Sequence, residues 1–374
     1  MEESYDVVIV GAGAAGIGMA LKLQHIPALS YVVLEPGDIG ESFRRWPRQT
    51  HFLTPSFHSN PYGLADLNAI SELSSPAIFC GSQHPPGNQY ADYLAFIAET
   101  AMLPIEQHCP VNHVDRCKPA GFKLQTERGE VKTKFLIWAT GEYQFPDLAP
   151  FPGADSCIHY ATVNDWTDYD AETFIVIGGY ESGVDASVNL VQQGHHVRLL
   201  VKKHSWESEN LYDPSLSLSP HSRDRLNEAL KTQRLDIHFG ANISHVDQGE
   251  DSAFRVHAED GRQWHVNHPP ILATGFVAGG GAQQISELWE WDENGKLQLS
   301  EADESTRTPG LFLVGPQVKQ GTQQYCFIYK FRQRFTQLAS LIALCLSLDD
   351  SDLHAESAPW GPFGNSECCE DCEC

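Results

Sequence analysis

Short apolar runs alternate with amphipathic stretches from the N-terminus onwards. The run YDVVIV (5–10) leads into a glycine-rich turn and the helical pattern AAGIGMALKL (14–23). The next apolar run, YVVL (31–34), ends at an acidic residue, Glu35. A strand, a turn, a helix and a second strand in this order form a βαβ unit. The pattern therefore predicts parallel strands in an α/β fold.

The same pattern returns in the middle of the chain. TFIVI (173–177), a helical stretch from Glu181 and HVRLLV (196–201) repeat the order of the first unit. Three further apolar runs end at glycine-containing segments: FLIW before Ala139, Thr140 and Gly141, IL before Ala273, Thr274 and Gly275, and LFLV before Gly315. We therefore predict two Rossmann-like, three-layer α/β domains.

The first glycine turn has the layout of a dinucleotide-binding site. Gly11 permits a tight turn, Gly13 lets a pyrophosphate approach the backbone, and Gly16 lets the helix pack on the strand. The helix start, with Ala14 and Ala15, offers N–H groups and a positive dipole end to phosphates. Glu35 is placed to accept hydrogen bonds from ribose hydroxyls. We predict that this unit binds FAD.

The second glycine turn differs in its charge. Lys202 lies 24 positions after Gly178, the same spacing as Glu35 after Gly11, and Lys203 follows it. Cations at this point favour the 2′-phosphate of NADPH, whereas a carboxylate favours a free hydroxyl. The middle glycine is replaced by Tyr180, a side chain that would crowd a pyrophosphate unless the loop is displaced. The other candidate contacts in this turn are Glu181 and Ser182.

Two such turns and two Ala-Thr-Gly segments resemble the two-dinucleotide-domain flavoprotein superfamily, which includes thioredoxin-reductase-like enzymes and class B flavin monooxygenases. The resemblance covers about residues 4–345. It implies that the Ala-Thr-Gly segments connect the FAD and NADPH domains, and that Gly315 lies near the flavin. It also implies that a helix beginning near Gly321 points its first turn, with Thr322 and Gln323, at the flavin ring. Arg44 and Trp46 are candidates for contacts with the pyrophosphate and the ring.

The resemblance also suggests how the chain is divided. We expect an FAD-binding domain from residues 1–162 and 271–347, an NADPH-binding domain at 163–270, and a flexible acidic tail at 348–374.

The last seven residues, CCEDCEC, contain four of the ten cysteines of the chain. Four interpretations stay open: a dithiol relay, a thiolate site for a soft metal such as Zn or Cu, a sacrificial thiol tail, and an unstructured acidic tail whose cysteines have no role. The candidate catalytic or metal-binding residues are Cys368, Cys369, Cys372 and Cys374.

Composition fits an enzyme with two cores, because 374 residues with 41% hydrophobic side chains fill two α/β domains. A net charge of −24 argues against nucleic acid and anionic membranes as partners. The longest apolar helical stretch, 335–348, is too short to cross a bilayer, and we see no signal peptide. We expect a cytoplasmic protein; a homodimer is left open.

We predict an FAD-dependent, NADPH-using oxidoreductase that passes a hydride from NADPH to flavin and electrons on to a thiol, a disulfide or a thiol-bound metal. A small redox protein is an alternative partner to a small-molecule substrate. The internal CxxC of thioredoxin reductases is missing, since no cysteine lies between Cys157 and Cys326. Two alternatives remain: a class B-like flavin monooxygenase that oxygenates a small molecule, and a metal-binding flavoprotein without turnover.

Overall fold

The computed structural model describes residues 3–57, 65–206, 216–249 and 252–355. The described residues form two compact units. The first unit contains those within 1–44, 55–144 and 278–374, and the second contains those within 45–54 and 145–277. Along the chain, the second unit thus interrupts the first.

The strands and helices of the described residues alternate as the sequence pattern predicts. The strands are β1 (Glu3–Val10), β2 (Tyr31–Leu34), β3 (Ile105–Glu106), β4 (Val111–Arg116), β5 (Phe122–Thr126), β6 (Gly129–Trp138), β7 (Ile158–His159), β8 (Thr173–Ile177), β9 (His196–Val201), β10 (Leu235–Phe239), β11 (Ile243–Gln248), β12 (Phe254–Ala258), β13 (Gln263–Val266), β14 (Ile271–Leu272), β15 (Glu290–Trp291), β16 (Leu297–Gln298), β17 (Leu311–Leu313), β18 (Lys319–Gln320) and β19 (Gln323–Gln324). The helices are α1 (Ala14–Leu23), α2 (Glu41–Arg44), α3 (Pro76–Cys80), α4 (Gly87–Thr100), α5 (Glu181–Gln192), α6 (Pro220–Lys231), α7 (Ile328–Phe331), α8 (Arg334–Leu346) and α9 (Ser351–Ala355). Short 3-10 helices cover Ala154–Ser156, Tyr160–Thr162, Trp166–Asp168 and Gly280–Leu288.

The first unit is built on a mixed sheet with the strand order β3-β2-β1-β6-β5-β4. β1 lies between β2 and β6 and is parallel to both, and β17 adds a further parallel strand along the end of β6. Val7, Val8 and Ile9 are completely buried. A parallel strand covered on both faces needs such an unbroken apolar run, which is why no polar position interrupts it.

The second unit contains a parallel sheet with the order β10-β9-β8-β14-β7 and a separate antiparallel sheet with the order β11-β12-β13. The antiparallel sheet alternates between buried and partly exposed positions. Val246, Val256 and Trp264 point into a core that also contains Ile177 and Leu200 of the parallel sheet. One face of the antiparallel sheet is therefore apolar and packed, and the other carries polar residues.

The predicted α/β class with two Rossmann-like domains is confirmed. The predicted domain boundaries, after residues 162 and 270, lie inside the second unit, which extends from 145 to 277. Two contacts account for the wider limits. β7 pairs with β14, and the N–H of Val277 donates to the carbonyl of Phe145 at 2.8 Å. Which cofactor each unit binds stays a prediction.

Within the described part of the chain, the helices are all too short or too polar to span a bilayer.

Candidate functional site

The first glycine turn is held by close backbone packing. Gly11 has a φ of +107° and its N–H donates to the carbonyl of Leu34 at 2.8 Å. A Cβ at Gly11 would stand 2.6 Å from the carbonyl oxygen of Ala139, and a Cβ at Gly16 would stand 1.9 Å from that of Gly11. Neither position accepts a side chain. The predicted roles of these two glycines in the turn thus have a steric basis.

Gly13 is required for a different reason. It precedes α1 in an extended conformation, and a Cβ placed there would meet no protein atom within 4 Å. The fold itself therefore leaves this position open. Empty space beside the first turn of a helix is what the close approach of a pyrophosphate requires.

Glu35 follows β2 and is only 5% exposed. Its Oε2 accepts a hydrogen bond from the N–H of Ala12 at 2.6 Å, and its Oε1 accepts one from the N–H of Gly37 at 2.9 Å. The structure thus fixes this carboxylate beside the glycine turn, at the strand end where an acid binds ribose hydroxyls in dinucleotide folds.

The second glycine turn repeats the packing of the first. Gly178 has a φ of +108°, and its N–H donates to the carbonyl of Leu200 at 3.0 Å. A Cβ at Gly178 would stand 2.2 Å from the carbonyl oxygen of Ala273, and a Cβ at Gly183 would stand 1.8 Å from that of Gly178. The two turns therefore share one backbone design.

Each Ala-Thr-Gly segment supports one of the turns. The N–H of Ala139 donates to the carbonyl of Val10 at 2.9 Å, and the N–H of Ala273 donates to that of Ile177 at 2.8 Å. Each alanine carbonyl therefore lies directly beside the glycine that begins the turn. Thr274 Oγ1 is buried and has no hydrogen-bond partner among the described residues. A buried hydroxyl without a partner beside such a turn fits a site that a ligand completes.

The strand register corrects the predicted match between Lys202 and Glu35. Gly11 bonds to Leu34, and Gly178 bonds to Leu200. The equivalent of Glu35 is therefore Val201, which is 2% exposed, and Lys202 lies one position further on. Equal spacing in the sequence misleads because the connection from the second turn to β9 is one residue shorter than that from the first turn to β2.

Lys202 and Lys203 still face a cavity of the second unit. The cavity has a volume of about 730 Å³, and both lysine side chains are exposed. It is bordered by Gly178, Tyr180 and Thr274. The predicted cationic contacts and the second glycine turn therefore lie around one space.

Tyr180 stands where the first turn has Gly13. Its hydroxyl donates to the carbonyl of Ser217 at 2.8 Å, and Lys203 Nζ lies 5.6 Å from the centre of its ring. The side chain is thus anchored at the border of the cavity. The predicted crowding of a pyrophosphate by this ring stays a prediction.

Glu181 and Ser182 occupy the first turn of α5. The Glu181 carboxylate accepts hydrogen bonds from the N–H of Ser219, at 2.6 Å, and from the hydroxyl of Ser222, both at the start of α6. Burial raises its pKa, and these hydrogen bonds oppose the rise. The structure thus uses this carboxylate to join two helices.

Arg44 and Trp46 belong to different units. Arg44 ends α2 and pairs with Asp92 of α4 at 2.9 Å. Trp46 packs against Phe52, with ring centres 5.1 Å apart. Their roles at the pyrophosphate and the flavin ring stay predictions.

The helix predicted to begin near Gly321 is wrong. Lys319–Gln320 and Gln323–Gln324 form the antiparallel pair β18–β19, with Gly321 and Thr322 in the turn between them. Gly321 has a φ of +57°, and the N–H of Tyr325 donates to the carbonyl of Val318 at 3.1 Å, which closes the hairpin. The next helix, α7, begins at Ile328. Thr322 and Gln323 therefore do not form a helical first turn, and Cys326 precedes the helix. Gly315 itself follows β17 with a φ of +110°, as a turn requires.

A partly buried carboxylate, Glu142, follows the first Ala-Thr-Gly segment and was not predicted. Gln317 donates its Nε2 hydrogen to Glu142, and Gln317 Oε1 accepts from the N–H of Gly279 at 3.0 Å. Burial raises the pKa of Glu142, while Gln317 and Lys319 lower it. Its position directly after Gly141 was the available sequence signal.

The tail cysteines Cys368, Cys369, Cys372 and Cys374 lie outside the described residues, so their thiol and metal roles stay predictions.

The sequence profile of the pyridine nucleotide-disulphide oxidoreductase family matches residues 8–315. The chain belongs to this family. This pyridine nucleotide-disulphide oxidoreductase is an NAD(P)H-dependent flavin enzyme, and the resemblance drawn from its two glycine turns is confirmed.

This oxidoreductase is similar in sequence to a reductase, and similar in fold to reductases and monooxygenases. It is 24% identical to the bacilliredoxin reductase Bdr of Bacillus subtilis over 245 residues, which is 65% of this chain and 68% of that protein. The bacillithiol disulfide reductase Bdr of Bacillus cereus has a similar structure, with a TM-score of 0.72 and 21% identity over 92% of this chain and all of the other. A flavin-containing monooxygenase from Stenotrophomonas maltophilia gives a TM-score of 0.69 and 16% identity, over 92% and 99% of the two chains. The fold is therefore common to both activities.

Proposed function

We propose that this protein binds FAD at the first glycine turn and NADPH at the second, and that it uses NADPH to reduce a disulfide. The observation that carries the proposal is the repeated turn, in which Gly11 and Gly178 are each packed against the carbonyl of a later alanine. One turn ends beside an acid, and the other ends beside two exposed lysines. This asymmetry supports two different dinucleotides.

The first turn suits FAD. The open space at Gly13 lies at the start of a ten-residue helix, whose free N–H groups and dipole favour a pyrophosphate. Glu35 is held beside it by two backbone N–H groups and is buried, as expected for a carboxylate that positions a ribose.

The second turn suits NADPH rather than NADH. Val201 stands at the position where Glu35 stands in the first unit. A carboxylate at this position would bind a free 2′-hydroxyl and repel a 2′-phosphate, whereas valine does not repel the phosphate. Lys202 and Lys203 border the same cavity and supply the charge that a phosphate requires. Thr274 Oγ1 offers a buried polar atom for the ligand.

Bound FAD would supply the two-electron chemistry, by accepting a hydride from NADPH. The net reaction consumes NADPH, a proton and a disulfide, and it yields NADP⁺ and two thiols. Cys80 and Cys157 are poor candidates for the thiol that contacts the substrate, because burial raises the pKa of each to about 11. The described cysteines also form no disulfide with one another. We assign the exchange to the tail cysteines, because four of them stand within the last seven residues of the sequence.

The names of the relatives suggest the substrate class. One is named for the reduction of bacilliredoxin and the other for the reduction of bacillithiol disulfide, and we propose a disulfide substrate of this class here. The monooxygenase neighbour shares only the fold.

Truncation after Ser366 tests this assignment. The truncated protein should keep its FAD content and its rate of flavin reduction by NADPH, because the removed residues lie beyond both glycine turns. NADPH consumption with bacillithiol disulfide should fall at least tenfold, a loss of about 1.4 kcal/mol in transition-state stabilisation. Changing all four tail cysteines to serine in the full-length chain is the matched control for the loss of length.

Two outcomes would contradict the proposal. Undiminished disulfide turnover after truncation would exclude the tail from the reaction. Oxygen uptake with formation of an oxygenated product, and no disulfide turnover by the full-length protein, would support a flavin monooxygenase instead.

A further inference from the structure

The polar face of the antiparallel sheet in the second unit brings two histidines and an aspartate together. His245 of β11 lies directly opposite His257 of β12, and Asp247 is two residues along β11. The intervening residue, Val246, points into the core with Val256. The alternation of a strand therefore places His245, Asp247 and His257 on the same face, away from the core.

These three side chains are already close enough to share an ion. His257 Nε2 lies 2.6 Å from Asp247 Oδ2, and His245 Nε2 lies 3.9 Å from the same oxygen. The two imidazole rings are stacked, with centres 4.1 Å apart and planes within 8°. If one ligand atom is taken from each of the three residues, these atoms all lie within 4.8 Å of one another. Ligands of a tetrahedral zinc ion lie about 3.3 Å apart, so small side-chain rotations complete the geometry.

A neighbouring hydroxyl directs one of the imidazoles. Ser244 Oγ lies 3.0 Å from His245 Nδ1 and also donates to the carbonyl of His257 at 3.1 Å. With its Nδ1 engaged, His245 presents Nε2 towards Asp247. In a metal-binding histidine, one ring nitrogen usually binds the metal while the other is held by a hydrogen bond.

The first unit provides a natural comparison. His113, Val114 and Asp115 of β4 repeat the triplet His-Val-Asp of β11, and β4 pairs with β5 in the same register, with the same irregularity two residues before the histidine. The residue opposite His113 is Gln125, whose Nε2 donates to Asp115 Oδ2 at 3.2 Å. Among the three positions that correspond to His245, Asp247 and His257, the β4–β5 pair differs only by glutamine in place of histidine.

We propose that His245, Asp247 and His257 form a zinc-binding site. Two imidazoles and a carboxylate are a common donor set for Zn²⁺, and a fourth position is left for water. The ion would link β11 to β12 across the strand pair. The site is independent of the proposed reduction of disulfides, and it uses none of the residues assigned to FAD, NADPH or the tail.

The test is a zinc titration of the full-length protein by calorimetry, after its accessible thiols have been alkylated with N-ethylmaleimide so that the tail cysteines cannot bind zinc. We expect one site with a Kd in the micromolar range or tighter. His257→Gln, which gives β12 the residue of β5, should weaken binding at least tenfold. His113→Gln should leave the titration unchanged, and zinc should raise the Tm of the wild type but not that of His257→Gln.

A gain of binding provides the reverse test. Gln125→His completes the same three residues in the first unit and should add a second zinc site to the titration. Asp247→Asn is a second loss variant in case His257→Gln folds poorly, which FAD content and circular dichroism will show. Binding to the alkylated wild type weaker than millimolar would overturn the proposal. Equal affinity in the wild type and the loss variants, or no gain from Gln125→His, would also overturn it.

Discussion

At the first glycine turn the residue before the helix is Gly13, whereas at the second turn it is Tyr180. The strand that follows ends at Glu35 in one unit and at the buried Val201 in the other. The contacts that shape the backbone are the same in both turns. A Cβ added at Gly16 or at Gly183 would overlap with the carbonyl oxygen of the first glycine of its turn. The positions that differ border the proposed ligand space. Packing therefore holds the turn constant while the residues towards the ligand change.

Exchanging the differing residue should give the largest effect. Gly13→Tyr copies the second turn into the first and fills the open space with a side chain. We expect the affinity for FAD to fall at least a hundredfold, about 2.7 kcal/mol, and the purified variant to be largely apoprotein. Flavin absorbance per protein and titration with FAD measure this loss.

The control for this substitution is the stability of the apoprotein. A Cβ at Gly13 meets no protein atom within 4 Å, so the apo forms of variant and wild type should unfold at nearly the same urea concentration. Normal FAD affinity in Gly13→Tyr would show that the cofactor does not use this turn.

Removing the two lysines should have an intermediate effect. Lys202→Gln with Lys203→Gln removes the charge beside the proposed 2′-phosphate. The Kd for NADPH should rise about ten- to a hundredfold while that for NADH stays the same. Lys231→Gln, in the same unit but paired with Glu228, controls for the loss of one positive charge and is compared with the single variants Lys202→Gln and Lys203→Gln. An equal loss for NADH and NADPH would place the lysines away from the 2′-phosphate.

Releasing Tyr180 should have the smallest effect. Tyr180→Phe removes the bond to the carbonyl of Ser217 and keeps the ring. A neutral hydrogen bond contributes about 1 kcal/mol, so the Kd for NADPH should change by no more than about fivefold. The change should be a weakening, because a ring that has lost this hydrogen bond is freer to enter the cavity. Tighter binding would mean that the anchored hydroxyl itself obstructs the ligand. Equilibrium titration with NADPH distinguishes the two.

The glycine spacing alone predicted both turns, because a missing Cβ at Gly11 or Gly178 has a local steric meaning. The glycine spacing does not give the strand register, because the register depends on how the helix packs. In the structure Val201 is the equivalent of Glu35, whereas the residue count from Gly178 indicates Lys202. The hairpin at Gly321 was mistaken for a helix start, since the sequence QGTQ suits either. A linear pattern does not show contacts between distant segments. The hydrogen bond between Gln317 and Glu142 and the pairing of the histidines of β11 and β12 are contacts of this kind.

The alanine carbonyls behind the two turns have a consequence for synthesis of the chain. Ala139 is 128 positions after Gly11, and Ala273 is 95 positions after Gly178. A nascent chain that ends before these alanines contains the whole glycine motif but lacks the strand against which it packs. Each cofactor turn can therefore be completed on the ribosome only after its supporting strand has been translated, and the first turn has the longer wait.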